Sequence, residues 1–161
     1  MTELVVLHTR YCLRDDRSDE VWAPYEAVYA SLRRHVVVVD ADREARRTLR
    51  SRLERGGHRV DEAEDAAAAV ELALAQQPDV LLVDLDLPGR GGYRTAERIR
   101  AARGHEAPLL VALTGCGRPQ DRRHARAAGF DVSLVKPAET DEIERVITAA
   151  PRMTRLRARD A

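Results

Sequence analysis

Four consecutive valines, Val36 to Val39, run straight into a carboxylate at Asp40. An unbroken β-branched run suits a strand buried on both faces, as in a parallel sheet covered by helices. Similar runs recur down the chain. The pattern predicts strands near residues 36–39, 59–62, 80–83, 109–113 and 131–135, with helical stretches between and after them. Leu49 and Leu53 supply the buried stripe of the first helix, which Gly56 and Gly57 end. The second, from Asp65 to Gln76, is alanine-rich with Val70, Leu72 and Leu74, and closes before Pro78. Ala96 and Ile99 anchor the third helix, and Ala125 and Ala128 the charged fourth, which begins near Pro119. Ile143, Val146, Ile147 and Ala150 form the stripe of the last. This alternation implies an α/β fold, a doubly wound five-stranded parallel sheet of flavodoxin type with strand order 2-1-3-4-5.

The flanks do not share the alternation. Residues 1–34 form an expected N-terminal extension, partly helical: "ELVVLH" reads as a strand and "DEVWAPYEAVYASLRR" as a helix with Val21, Tyr25, Val28 and Leu32 on one face. That stripe is expected to pack on its own domain, with a homodimer or partner contact as the alternative. Residues 35–150 form the main domain, and 151–161 a frayed basic tail. The formal charge sums to zero, which removes any global electrostatic case for nucleic acid or an anionic membrane. No apolar run is long enough to cross a bilayer. Cys12 and Cys116 lack metal-like spacing, so a reduced, cytoplasmic protein is expected.

In such a sheet, ligands gather at the carboxyl ends of the strands. Asp40 follows the first strand, Asp84 the third, Thr114 the fourth and Lys136 the fifth. Two carboxylates about 4 Å apart repel by roughly 4 kcal/mol at an effective dielectric of 20, so they need a cation or a proton. Magnesium prefers oxygen ligands, and a lysine and a hydroxyl can hold phosphoryl oxygens beside it. Such a set suits a carboxylate nucleophile that accepts a phosphoryl group. Lys136 is the only lysine in an arginine-dominated chain. A compact ammonium retained there favours a role that a planar guanidinium cannot fill.

These residues resemble the receiver domain of two-component response regulators over about residues 35–150, in the manner of single-domain chemotaxis receivers. "PDVLLVDLDLPGRGGY", "LLVALTG" and "AAGFDVSLVKP" carry the resemblance. It implies that Asp84 is the phosphoacceptor, Asp40 part of a Mg2+ site, Thr114 the hydroxyl that follows the phosphoryl group, and Lys136 its counter-charge. It also implies that Asp86 offers the metal a backbone or side-chain oxygen. The partners it implies are a sensor histidine kinase or phosphotransfer protein and a downstream protein contacted through the surface. No output domain follows the last helix of this sequence, so signalling through a partner is expected.

The chain departs from the family pattern in three places. Ala41 stands where a second consecutive acid usually ligates the metal, with Asp42 one residue late as a substitute. Asp86 is an acid at a position that influences the lifetime of the phosphoryl group. Ser133 occupies the place of an aromatic that swings inward on activation, so output is expected through loop and helix shifts. Two alternatives stay open. One is a pseudo-receiver with impaired Mg2+ binding and phosphorylation, acting as an interaction module. The other is a haloacid-dehalogenase-like phosphatase, suggested by the Asp-Leu-Asp of residues 84–86.

Overall fold

The computed structural model describes residues 3–7, 10–14, 21–24 and 32–150. Contacts divide the chain into two units, Met1–Arg33 and Arg34–Ala161. In the first, β1 (Glu3–Leu7), β2 (Arg10–Arg14) and β3 (Val21–Pro24) form an antiparallel sheet in that order. The strand expected in "ELVVLH" is therefore present. The helix expected to begin near residue 19 is not: Val21–Pro24 pairs with β2. Val21 and Trp22 are of the β-branched and aromatic types that favour strands. Pro24, which has no N–H, ends the strand opposite Arg10, where a missing ladder donor costs least. Of the remainder of that stripe, Tyr25 and Val28 lie outside the described residues, as does the basic tail, and Leu32 is exposed.

The second unit follows the predicted alternation. Its strands are β4 (His35–Val39), β5 (Arg59–Ala63), β6 (Val80–Asp84), β7 (Leu109–Thr114) and β8 (Val132–Val135). They form one parallel sheet in the order β5-β4-β6-β7-β8, which is the expected 2-1-3-4-5. The helices are α1 (Arg43–Arg55), α2 (Ala66–Gln76), α3 (Gly91–Arg103), α4 (Pro119–Ala128) and α5 (Thr140–Ala149).

Strand alternation divides the core in two. Val36, Val38, Val80, Leu82, Val111 and Leu113 face Leu53 of α1 and Ile143 and Ile147 of α5. Val37, Val39, Leu81, Val83, Leu110 and Ala112 face α2, α3 and α4. β4 and β6 are buried along their whole length, which explains why their sequences show no polar alternation. Each fully buried Val or Leu contributes roughly 1.5–3 kcal/mol, so these two strands anchor the domain.

α2 differs from its sequence reading. Its buried positions are Ala69, Val70 and Ala73, while Leu72 is only partly buried and Leu74 is 41% exposed. Small side chains, not leucines, set the approach of α2.

α3 crowds the end of β6 even more closely. A Cβ added to Gly92 would lie 2.5 Å from the Asp84 carbonyl oxygen and 2.8 Å from Leu85 Cα. Both are backbone atoms and cannot rotate away. Gly92→Ala is therefore expected to cost about 1–3 kcal/mol of stability, measured as a lowered urea midpoint with an unchanged denaturant slope.

Candidate functional site

The sheet register brings the predicted residues to one edge. Val39 pairs with Val83, which sets Asp40 beside Asp84, and Asp84 pairs with Leu113, next to Thr114. Backbone pairing continues beyond the strands. Asp40 N–H donates to the Ala63 carbonyl at 3.2 Å, Leu85 N–H to Leu113 at 2.9 Å and Lys136 N–H to Thr114 at 2.8 Å. The roots of these side chains are thus held by the ladder itself.

Asp40, Asp84 and Thr114 are all buried, between 5% and 7% exposed. Lys136 Nζ lies 3.0 Å from Asp84 Oδ1 and 3.4 Å from Asp40 Oδ2. One ammonium therefore spans both carboxylates. Partial burial works against the charged lysine, but the hydrogen bond and field of Asp84, joined by Asp40, outweigh it and raise the Lys136 pKa above its ordinary value. Asp40 and the lysine open onto a cleft of about 620 Å³ between α1 and the loop after β8, lined also by Asp42, Thr48, Leu113 and Pro137 among others. The Lys136–Pro137 peptide at its rim is cis.

The remaining candidates are placed differently. Asp42 is the N-cap of α1: its Oδ1 accepts from Glu44 N–H at 2.8 Å and Ala45 N–H at 3.1 Å. Those two backbone bonds, Ala45 foremost, hold its carboxyl below the usual carboxylate range. Its own N–H donates to Asp40 Oδ1 at 2.8 Å. Asp86 N–H donates to Asp84 Oδ1 at 3.0 Å. The Asp86 carboxylate leans toward the loop after β7, where a Cβ on Gly115 would meet its Oδ2 at 3.3 Å. Thr114 Oγ1 donates to the Cys116 carbonyl at 2.9 Å and accepts from Cys116 N–H at 3.1 Å. Its hydroxyl is thus engaged by its own loop and not by Asp84. Ser133 is half-buried on β8 beside Ala112. Among the described residues no three His, Cys, Asp or Glu side chains form a ready metal cluster.

Sequence reasoning missed Arg46. Its Nη1 donates to the Asp40 carbonyl at 2.5 Å. The only signal for it was a basic residue one helical turn into α1, among several others.

The family described as Response regulator receiver domain matches residues 36–148. The chain belongs to that family. It is 34% identical over 108 residues to the transcriptional regulatory protein ResD of Bacillus subtilis, covering 67% of this chain and 44% of ResD. It is 33% identical over 121 residues to the response regulator MprA of Mycobacterium ulcerans, covering 75% of this chain and 51% of MprA. The chain spans about half the length of these curated relatives. In solved structures it resembles the receiver domain of the sensor histidine kinase PA1611 of Pseudomonas aeruginosa, with a magnesium ion coordinated in that protein's active site cleft. The TM-score is 0.65 at 28% identity, over 71% of this chain and 93% of the other. It shares its fold with the chemotaxis protein CheY4 of Vibrio cholerae, at a TM-score of 0.67 and 22% identity over 73% and 98% of the two chains. The receiver assignment and the doubly wound fold expected from the sequence both hold, and the phosphatase alternative gives way to them.

In this receiver, the lysine is held charged by its carboxylates against the effect of burial. Removing the nearer one leaves burial opposed by Asp40 alone. Asp84→Asn is accordingly expected to lower the Lys136 pKa, seen as an earlier titration of its Cε methylene signals by NMR as pH rises. An unchanged titration would show that Asp84 does not supply the compensating charge.

Proposed function

We propose that this receiver accepts a phosphoryl group on Asp84 from a sensor histidine kinase or a phosphotransfer protein, and signals through surface contacts with a downstream protein in the cytoplasm. The observation that supports this most directly is the buried Asp84 carboxylate, bound by the chain's only lysine beside a second buried acid. One Asp84 oxygen attacks phosphorus as the bond from phosphorus to the donor breaks, and the donor leaves with that electron pair. Lys136 is the ammonium placed to pair with the new phosphoryl oxygens. Thr114 would have to leave Cys116 to reach them, which supplies a local change that neighbouring elements can read. Such transfer depends on positioning and charge neutralisation.

The carboxylates of Asp40 and Asp84 suit a hard cation with few protein ligands, since a single ammonium leaves one of their two charges uncompensated. Asp40, Asp84 and the Asp86 carbonyl would hold Mg2+, which when bound supplies further positive charge at the phosphoryl oxygens. Asp42 is a poor substitute for the missing acid, because its carboxylate caps α1.

A pseudo-receiver is the second reading, favoured by Ala41 and by the lack of a three-ligand cluster among the described residues. Incubation with acetyl phosphate separates the two. A Mg2+-dependent adduct on Asp84, seen by mass spectrometry and lost in Asp84→Asn, is expected. Absence of both adduct and Mg2+ binding would replace the phosphoacceptor with the interaction module. Ala41→Asp should tighten Mg2+ binding about tenfold, the equivalent of roughly 1.4 kcal/mol; an unchanged affinity would mean that another acid already serves.

Asp42→Ala divides cap from ligand. The expected result is a melting temperature lowered by a few degrees with Mg2+ affinity retained. Because the folded-state pKa of Asp42 is depressed, its contribution is present above the ordinary carboxylate range and is lost as pH falls through the folded value. The difference in melting temperature between wild type and Asp42→Ala should therefore shrink in acid.

A further inference from the structure

Asp40 is oriented from two directions on its carboxylate: Asp42 N–H at 2.8 Å on Oδ1 and Lys136 at 3.4 Å on Oδ2. A third contact acts on its main chain. Arg46, from the first turns of α1, donates from Nη1 to the Asp40 carbonyl at 2.5 Å. That carbonyl belongs to the peptide joining Asp40 to Ala41, the position from which the usual second acid is missing. The Arg46 side chain is only 11% exposed, so this is a desolvated, charge-assisted bond, of the stronger class.

The other edge of the guanidinium is less well satisfied. Arg46 Nε lies 3.9 Å from Glu62 Oε1 on β5, an ion pair beyond hydrogen-bond range, and both atoms are buried without a hydrogen-bond partner. The second oxygen of Glu62 is taken by Arg50 at 3.1 Å. The close partner of Arg46 is therefore the Asp40 peptide, and Glu62 is a looser neighbour.

We propose that Arg46 is a positioning residue for the acid pair. By fixing the peptide after Asp40, it aims the Asp42 N–H at Asp40 Oδ1 and so turns Oδ2 toward Lys136 and Asp84. With a methyl group at position 41, no second acid can brace this loop through a metal, and the guanidinium braces it from beneath. The consequence for Mg2+ binding rests on the phosphoacceptor reading above; the consequence for the loop does not.

The test uses the full chain, with amide exchange by NMR in the absence of metal and calorimetric titration with MgCl2. Arg46→Met keeps the aliphatic packing and removes the donor. It is expected to speed exchange of the Asp42 amide and to weaken Mg2+ binding about tenfold, as loss of a residue that orients a ligand does. Arg46→Lys should restore part of both. Glu62→Gln, which removes the looser neighbour and leaves the Asp40 contact, should change neither. If Arg46→Met leaves the Asp42 amide protected, or if Glu62→Gln matches its effects, Arg46 is a tether between α1 and β5 and the proposal fails. Should Arg46→Met not fold, Arg46→Lys decides against Glu62→Gln: an intermediate loss of Asp42 protection supports positioning, and equal behaviour overturns it. Wild-type protein that binds no Mg2+ would sink the phosphoacceptor reading alone, since the exchange arm still decides the role of Arg46.

Discussion

The ammonium of Lys136 between two buried carboxylates is the interaction on which the carboxyl edge of this receiver's sheet depends. Asp40 and Asp84 end neighbouring strands, and the register leaves them no freedom to separate. Without a cation, two such charges at a buried sheet edge would repel each other at close range. Lysine resolves this conflict with one charge, not two, and the site retains an appetite for further positive charge. Structural tolerance and chemical readiness thus come from the same imbalance.

That imbalance is delivered by features far from the edge. The valines of β4 and the Val80–Val83 run of β6 are buried on both faces by helices above and below, and the helical crossovers that supply those layers run the strands parallel. Parallel strands put their carboxyl ends on one side, so residues distant in sequence meet there. The close seat of Gly92 on the Asp84 carbonyl then sets the height of α3 at this rim. Core packing and site geometry are in this sense one problem.

The sheet and the gathering of Asp40, Asp84, Thr114 and Lys136 at one edge of it were legible because their signals are local: β-branched runs closed by a polar residue. The N-terminal strand Val21–Pro24 was not legible, since Val21, Tyr25, Val28 and Leu32 also satisfy a helical period, and pairing with β2 overrode it. The leucines of α2 misled in another way. Periodicity marks large side chains, whereas α2 buries its alanines. Asp42 looked like a late metal ligand although an acid just before a helix is also a cap; both readings fit the letters, and the hydrogen bonds show the cap. Arg46 had no sequence signal that set it apart from its basic neighbours, and the engagement of Thr114 with Cys116 had none, because each depends on which backbone atom lies within reach after folding.

Ala41 can be weighed in charge terms on the proposed reading. A second acid beside Asp40 would strengthen the hold on a dication, but it would also remain as an uncompensated charge once a phosphoryl group arrived. Here the lysine and a dication together can offset Asp40 and a dianionic phosphoryl group without that surplus. The alanine therefore weakens the site for metal while lessening the repulsion that the phosphorylated state would meet. The same substitution leaves the β4–α1 loop without a metal-bound brace, and the contacts that remain to it are internal: the Asp42 cap and the Arg46 bond to the Asp40 peptide. A loop held by its own helix keeps its shape whether or not metal is bound, so the acid pair can be preorganised and weakly metal-binding at once.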